Sequence, residues 1–112
     1  MTDVQVLSLK YDLNESSIHS VEKQVMSLLS KGCSRIVLEG KQVEHVDWPA
    51  VGKILGWKRV LRQLEGDIKI AELPNGATEP FHRFGANQVL ELYPTVREAM
   101  NSFQDYLDAS NC

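Results

Sequence analysis

Cysteine is scarce in this 112-residue sequence: only Cys33 and Cys112 occur, far apart and in no CxxC arrangement. That excludes a disulfide scaffold and a thiolate zinc site, and two reduced thiols are expected. His19, His45 and His82 show no HxxxH spacing, and Cys33 is far in sequence from each, so no metal site is expected. Neither GxxxxGK[ST] nor GxGxxG occurs, which removes the ordinary phosphate-cradling loops, and no cofactor is expected. No apolar run approaches the length that crosses a bilayer, and residues 1–10 lack the basic start and long apolar centre of a signal peptide. A cytoplasmic protein without direct membrane insertion is the expectation.

Charge of one sign is also missing. A formal net charge of -3 gives the molecule no long-range attraction to a nucleic-acid backbone, so nucleic acid is not an expected partner. What is present is ordinary globular material, with 43% apolar and 24% charged residues, neither disordered nor collagenous. A chain of this length supports one core, so a single domain over residues 1–112 is expected, with its core between about residues 4 and 107.

Val4, Val6 and Ser8 alternate with Gln5, Leu7 and Leu9, an aliphatic run that reads as a strand covered on both faces. Ile18, Val21, Val25, Leu28 and Leu29 then share a helical face behind candidate caps Asn14, Ser16 and Ser17, and Gly32 should close that helix. Residues 35–38 form a second strand, and the Val43 to Val46 piece leads into another helix. Pro49 suits the first helical position and pushes the residue before it out of helical geometry, which leaves Trp48 outside. Ala50, Ile54, Trp57, Leu61 and Leu64 form its apolar stripe, and Gly66 should end it.

Residues 68–71 are a third strand, followed by turn chemistry at 73–76 and a short helix that carries Phe81 and Phe84 and closes at Gly85. Residues 89–92 are a fourth strand candidate. Thr95 and Glu98 form a capping box, opening a helix with Val96, Ala99, Met100, Phe103 and Leu107 on one face. Alternation of strand and helix through the chain predicts an α/β domain, a mainly parallel or mixed sheet of about four strands with about four helices packed on it. Loops are short, so a site must lie at element ends.

The segment 43–55 resembles the signature of STAS domains, in which a strand ends in an apolar residue and Asp, followed by Ser-Ser-Gly-Leu-Gly and a helix. Asp47, Val51 and Gly52 carry the match. Residues 11–14 (Tyr-Asp-Leu-Asn) stand where the family has a Gly-Glu/Arg-Leu-Asp turn, and residues 84–90 are similar to its late Gly-Leu turn and strand. The resemblance spans roughly the whole chain. It implies a STAS-like fold and a protein-binding module without enzymatic activity, similar to the anti-sigma-factor antagonists of bacterial signalling and transcription regulation. The implied partner is a protein, either an anti-sigma factor kinase or a transporter subunit. A second reading of the same resemblance is an accessory or sensor subunit of a lipid or anion transport system that binds a transporter or a small anionic ligand. Family members that switch by phosphorylation carry Ser or Thr directly after the Asp. Here Trp48 and then Pro49 follow, neither with a hydroxyl, so no phosphate is expected at that turn. Asn14 in place of an aspartate removes one charge from the surface the family uses.

The expected partner-binding residues are Asn14, Asp47, Trp48, Pro49, Ala50, Val51, Gly52 and Lys53. Asp47 reads either as a turn residue that stabilises the following helix or as a partner contact. Trp48 at a loop apex either folds back onto the domain or projects as a contact anchor, in the second case forming an apolar patch with Pro49 and Val51. Lys53, Lys58, Arg59 and Arg62 give their helix a basic side, read either as a solvated face or as a site for an acidic partner, an anionic lipid or a nucleotide. Phe81, Phe84, Phe103 and Tyr106 fall on helical faces and are assigned to the core. Glu44 and His45 alternate faces and offer no catalytic pair.

Overall fold

The computed structural model describes residues 4–111, with side chains up to Phe103; the expectation for Cys112 and the side-chain expectations for Tyr106 and Leu107 lie outside what is described. Among the described residues the elements are β1 (Val4–Ser8), α1 (Ile18–Ser30), β2 (Arg35–Glu39), α2 (Trp48–Gln63), β3 (Asp67–Ala71), α3 (Asn75–Arg83), a 3-10 turn (Ala86–Gln88), β4 (Leu92–Tyr93) and α4 (Val96–Asn111). The four strands form one parallel sheet in the order β1-β2-β3-β4. This is the expected α/β architecture.

Because each connection steps one strand in the same direction with the same hand, α1, α2 and α3 fall on one face of the sheet. Ile36, Leu38, Ile68 and Ile70 meet Val21, Val25, Ile54, Leu61 and Phe81 there in the main core. The alternate residues Val37 and Ala71 face the other way and pack with Ala99 and Phe103 of α4. Within this second layer, one position of β3 is a buried lysine, Lys69.

Several boundaries differ from expectation for identifiable reasons. β1 is an edge strand and only half covered, with Val6 39% exposed, so its aliphatic run does not mark a central position. α2 starts at Trp48, one residue early, because the Asp47 carbonyl already accepts from the Ala50 and Val51 amides. β4 is two residues long. Val89 and Leu90, expected to begin it, are instead drawn into the end of the 3-10 turn, where the Ala86 carbonyl accepts from the Val89 and Leu90 amides. Phe84 stands at the end of α3 and is exposed, whereas Phe81 and Phe103 are buried as expected. The capping box is half made: Thr95 Oγ1 accepts from the Glu98 amide, and the carboxylate that takes the Val96 amide is Glu72 of another loop, 3.0 Å away.

Both α1 and α2 end in the same double turn. In α1 the Gly32 and Cys33 amides reach the Leu29 and Leu28 carbonyls, with Gly32 left-handed at φ 86° as predicted. In α2 the Glu65 and Gly66 amides reach the Arg62 and Leu61 carbonyls, so the left-handed residue is Glu65, at φ 62°. Gly66 serves a different need. A Cβ there would stand 1.9 Å from the Ser34 carbonyl oxygen, which must also accept the Asp67 amide that starts β3 beside β2.

Candidate functional site

The turn with the signature residues follows the C-terminal end of β2, and the structure shows why it is held. Asp12, in the loop after β1, accepts from the backbone amides of Glu44 (2.8 Å) and His45 (3.1 Å) through one carboxylate oxygen. One residue on, Leu13 and Val46 form a parallel bridge: the Leu13 amide donates to His45 and the Leu13 carbonyl accepts from Asp47. The β1–α1 and β2–α2 loops are thus clasped over the sheet end, with Leu13, Val43 and Val46 buried beneath. These backbone donors, Glu44 first, hold the Asp12 carboxyl below its ordinary range. Sequence reasoning missed Asp12, because nothing local to residues 11–14 reveals a partner more than thirty residues away.

The expected contact residues separate into two sets. Asp47, Trp48, Pro49, Gly52 and Lys53 are exposed. Ala50 and Val51 have no accessible surface; they seat the first turn of α2 on the core, and the apolar patch lies over them without including Val51. Asn14 is half-buried and locally employed, its Oδ1 accepting from the Ser16 and Ser17 amides at 2.9 Å each, while Ser17 Oγ donates to the Asp12 carbonyl. That is a loop-shaping role ahead of α1. Asp47 is extended at the N-terminus of α2 and makes no side-chain capping bond, so its carboxylate lies beside the helix amides without engaging them.

Trp48 takes both of the courses open to it. Its ring stacks on Phe84 with centroids 4.3 Å apart and planes tilted 46°, yet 47% of the residue remains exposed, as does 49% of Phe84. Pairing two half-exposed aromatics holds the indole in place without burying it. Phe84 is the second residue that sequence reading missed, since its helical spacing resembles that of the buried Phe81.

The basic side of α2 is partly neutralised. Lys58 is nearly buried and pairs with Asp67 at 2.6 Å, Arg62 lies 3.5 Å from the same carboxylate, and Lys53 lies 3.5 Å from Glu22. Glu22 also accepts from Trp57 Nε1 at 3.2 Å, and this bond, ahead of Lys53, lowers its carboxyl below the ordinary value. The lysines of this side therefore tie α2 to α1 and β3, while Arg59 is exposed and Arg62 and Lys53 stay about half exposed. Among the described residues no three His, Cys, Asp or Glu side chains converge as a metal site, and no helix is long and apolar enough to cross a membrane.

Comparison with known proteins bears on this arrangement. The family model described as Mlab, STAS domain matches residues 2–93. Among solved structures, a candidate anti-sigma factor antagonist of Thermotoga maritima superposes with a TM-score of 0.77 at 23% identity, over 87% of this chain and 86% of that one. The NMR structure of the same Thermotoga protein gives 0.75 at 23% identity, covering 86% and 78%. The STAS domain of a SulP transporter from Vibrio cholerae gives 0.71 at 13% identity, covering 95% and 84%. No curated protein matches by sequence. At these identities the structural likenesses establish the fold.

Proposed function

Since the chain belongs to the STAS domain family, we propose that it is a non-enzymatic protein-binding module of the cytoplasm, similar in role to anti-sigma-factor antagonists, that meets its partner through the 47–53 turn without a phosphate there. The observation that carries this reading is the Trp48–Phe84 pair, two large aromatics kept about half exposed where the end of α3 meets the turn whose preceding residues, Glu44 and His45, are held by Asp12. Aromatic anchors surrounded by polar residues are the usual energetic centre of protein interfaces. Asp47 and Lys53 flank them, supplying one charge of each sign to set orientation. Trp48 and Pro49 stand where switching relatives have a hydroxyl, so contact is either constitutive or controlled elsewhere.

A second reading is favoured by two likenesses, the Mlab description of the family match and the SulP transporter domain. In it the same surface docks on a subunit of a lipid or anion transport system.

Affinity purification with wild-type protein and Trp48→Ala tests both. Recovery of an anti-sigma factor kinase with the wild type and not the variant supports the first reading; recovery of a transport ATPase or permease in that pattern supports the second. Equal capture of the partner by both forms would refute the proposed surface. Incubation with the recovered kinase and ATP should leave residues 47–52 without phosphate.

A further inference from the structure

At the opposite end of the sheet from the clasped turn, between α4 and the strands, lies a cavity of about 350 Å³ whose walls include Arg35, Lys69, Glu91, Tyr93, Ser102 and Phe103. That volume is at the lower end of the small-molecule range. The cavity borders the first residues of β2 and β3, whereas the 47–53 turn follows the last residue of β2, so roughly 13 Å of strand separates them.

Lys69 is the feature that needs an explanation. It occupies the middle of β3 between Ile68 and Ile70, its side chain only 7% exposed, where an apolar residue of similar shape would ordinarily serve stability as well or better. Its ammonium donates to Ser102 Oγ at 2.5 Å and lies 4.4 Å from the centre of the Phe103 ring. Ser102 Oγ in turn donates to the Ala99 carbonyl, which fixes it as an acceptor toward the lysine.

The remaining partner of Lys69 differs in kind. Glu91 Oε1 lies 3.0 Å from the ammonium and also accepts from the Tyr93 hydroxyl, but the Glu91 side chain is 49% exposed and belongs to the short loop before β4. A buried cation and a phenol thus converge on one carboxylate oxygen brought in from the solvent side. Arg35 and Arg62 add positive charge to the wall and Glu65 and Asp67 negative charge, Asp67 already paired with Lys58 and Arg62, and Phe103 adds an aromatic surface.

We propose that this cavity is a binding site for a small organic carboxylate, whose carboxylate takes the place of Glu91 on Lys69 and Tyr93 while its apolar body lies against Phe103. Glu91 holds the site in the absence of ligand and turns to water when displaced. The site is independent of the protein-binding surface and does not rest on that reading.

Backbone amide shifts of the full chain, followed by NMR during titration with benzoate or with the neutral isostere benzamide, test the proposal. Benzoate should shift residues 66–69 and 102–103 and leave 47–52 unmoved, while benzamide should shift neither. Glu91→Gln should bind benzoate about tenfold tighter, and Lys69→Met about tenfold weaker, the size of one charge-assisted hydrogen bond. Tyr93→Phe preserves the packing and should weaken binding several-fold, so the test stands even if Lys69→Met does not fold. Absence of shifts with millimolar benzoate in both wild type and Glu91→Gln, equal binding of benzamide, or shifts centred on 47–52 would each overturn the assignment.

Discussion

Trp48, the first residue of α2, rests against Phe84, the residue that ends α3, with ring centroids 4.3 Å apart. The contact joins two segments that lie thirty-six positions apart in sequence, and it leaves both rings close to half exposed. A lone indole at that position would be free to fold over the turn; against Phe84 its orientation is set before a partner arrives, which reduces the ordering a partner must impose.

Replacing either ring should therefore weaken partner binding more than it weakens the fold. Trp48→Ala is expected to cost about 2 kcal/mol or more of binding. Phe84→Ala should cost part of that through loss of the platform, with a coupling of about 1 kcal/mol between the two in a double-mutant cycle. Because both residues are half exposed, unfolding free energy should fall by about 1 kcal/mol or less in each variant. Titration calorimetry with the recovered partner, alongside denaturant unfolding, measures both. Binding that survives Trp48→Ala while stability drops sharply would make the pair structural only.

The clasp made by Asp12 predicts acid sensitivity localised to the turn. Its carboxyl lies below the ordinary value in the folded state, so its contribution is complete above the unfolded-state carboxyl pKa and is lost as pH falls through the lower folded value. Protection of the Glu44 and His45 amides, measured as the exchange rate relative to the intrinsic rate at each pH, should fall across that acidic window, while protection in β2 and β3 does not. Asp12→Ala should show fast exchange at those two amides at neutral pH. Unchanged protection there would mean that the Leu13–Val46 bridge holds the loops unaided.

These residues show how far the sequence could be read. Alternation of apolar periodicities located the strands and helices, because burial on one face leaves a local pattern. The start of α2 was legible to within one residue because Pro49 fixes the local backbone. Asp12, Phe84 and Lys69 were not. A carboxylate reaching amides more than thirty residues away, an aromatic exposed at a helix end and a lysine inside a sheet each depend on which segments the fold brings together, and spacing within one element carries no trace of that. The basic spacing on α2 was legible only in part, since Lys58 turns inward to Asp67 of β3 while Lys53, Arg59 and Arg62 stay at the surface.

Trp57 offers an optical reading of one such long-range contact. Its indole N–H donates to Glu22, which is thereby held ionised below the ordinary carboxylate range. In a Trp48→Phe background the remaining indole emission should change as pH falls through the lowered Glu22 value, when the acceptor is protonated. The associated stability is present above the unfolded carboxyl pKa and lost below the folded one. Glu22→Gln should abolish the transition, since an amide does not titrate there. An unchanged transition in that variant would assign it to another carboxylate.

The end of α2 predicts two neighbouring substitutions of opposite sign. Glu65 occupies the left-handed position of the terminating turn at φ 62°, a conformation that opposes any side chain bearing a Cβ. Glu65→Gly relieves that strain, offset in part by the greater freedom of glycine in the unfolded chain, and should stabilise by about 0.5–1 kcal/mol. Gly66→Ala should do the reverse and more. Its new methyl would lie 1.9 Å from the Ser34 carbonyl, a backbone atom that cannot retreat without giving up the Asp67 amide and the start of the β2–β3 pairing. A loss of about 2 kcal/mol or more is expected, at the upper end of overpacking effects. Denaturant unfolding of the two variants decides the matter. If Glu65→Gly destabilised while Gly66→Ala still cost about 1 kcal/mol, the left-handed residue that closes α2 would have to be Gly66, as sequence reading alone expects; a neutral Gly66→Ala would instead remove the close approach to Ser34.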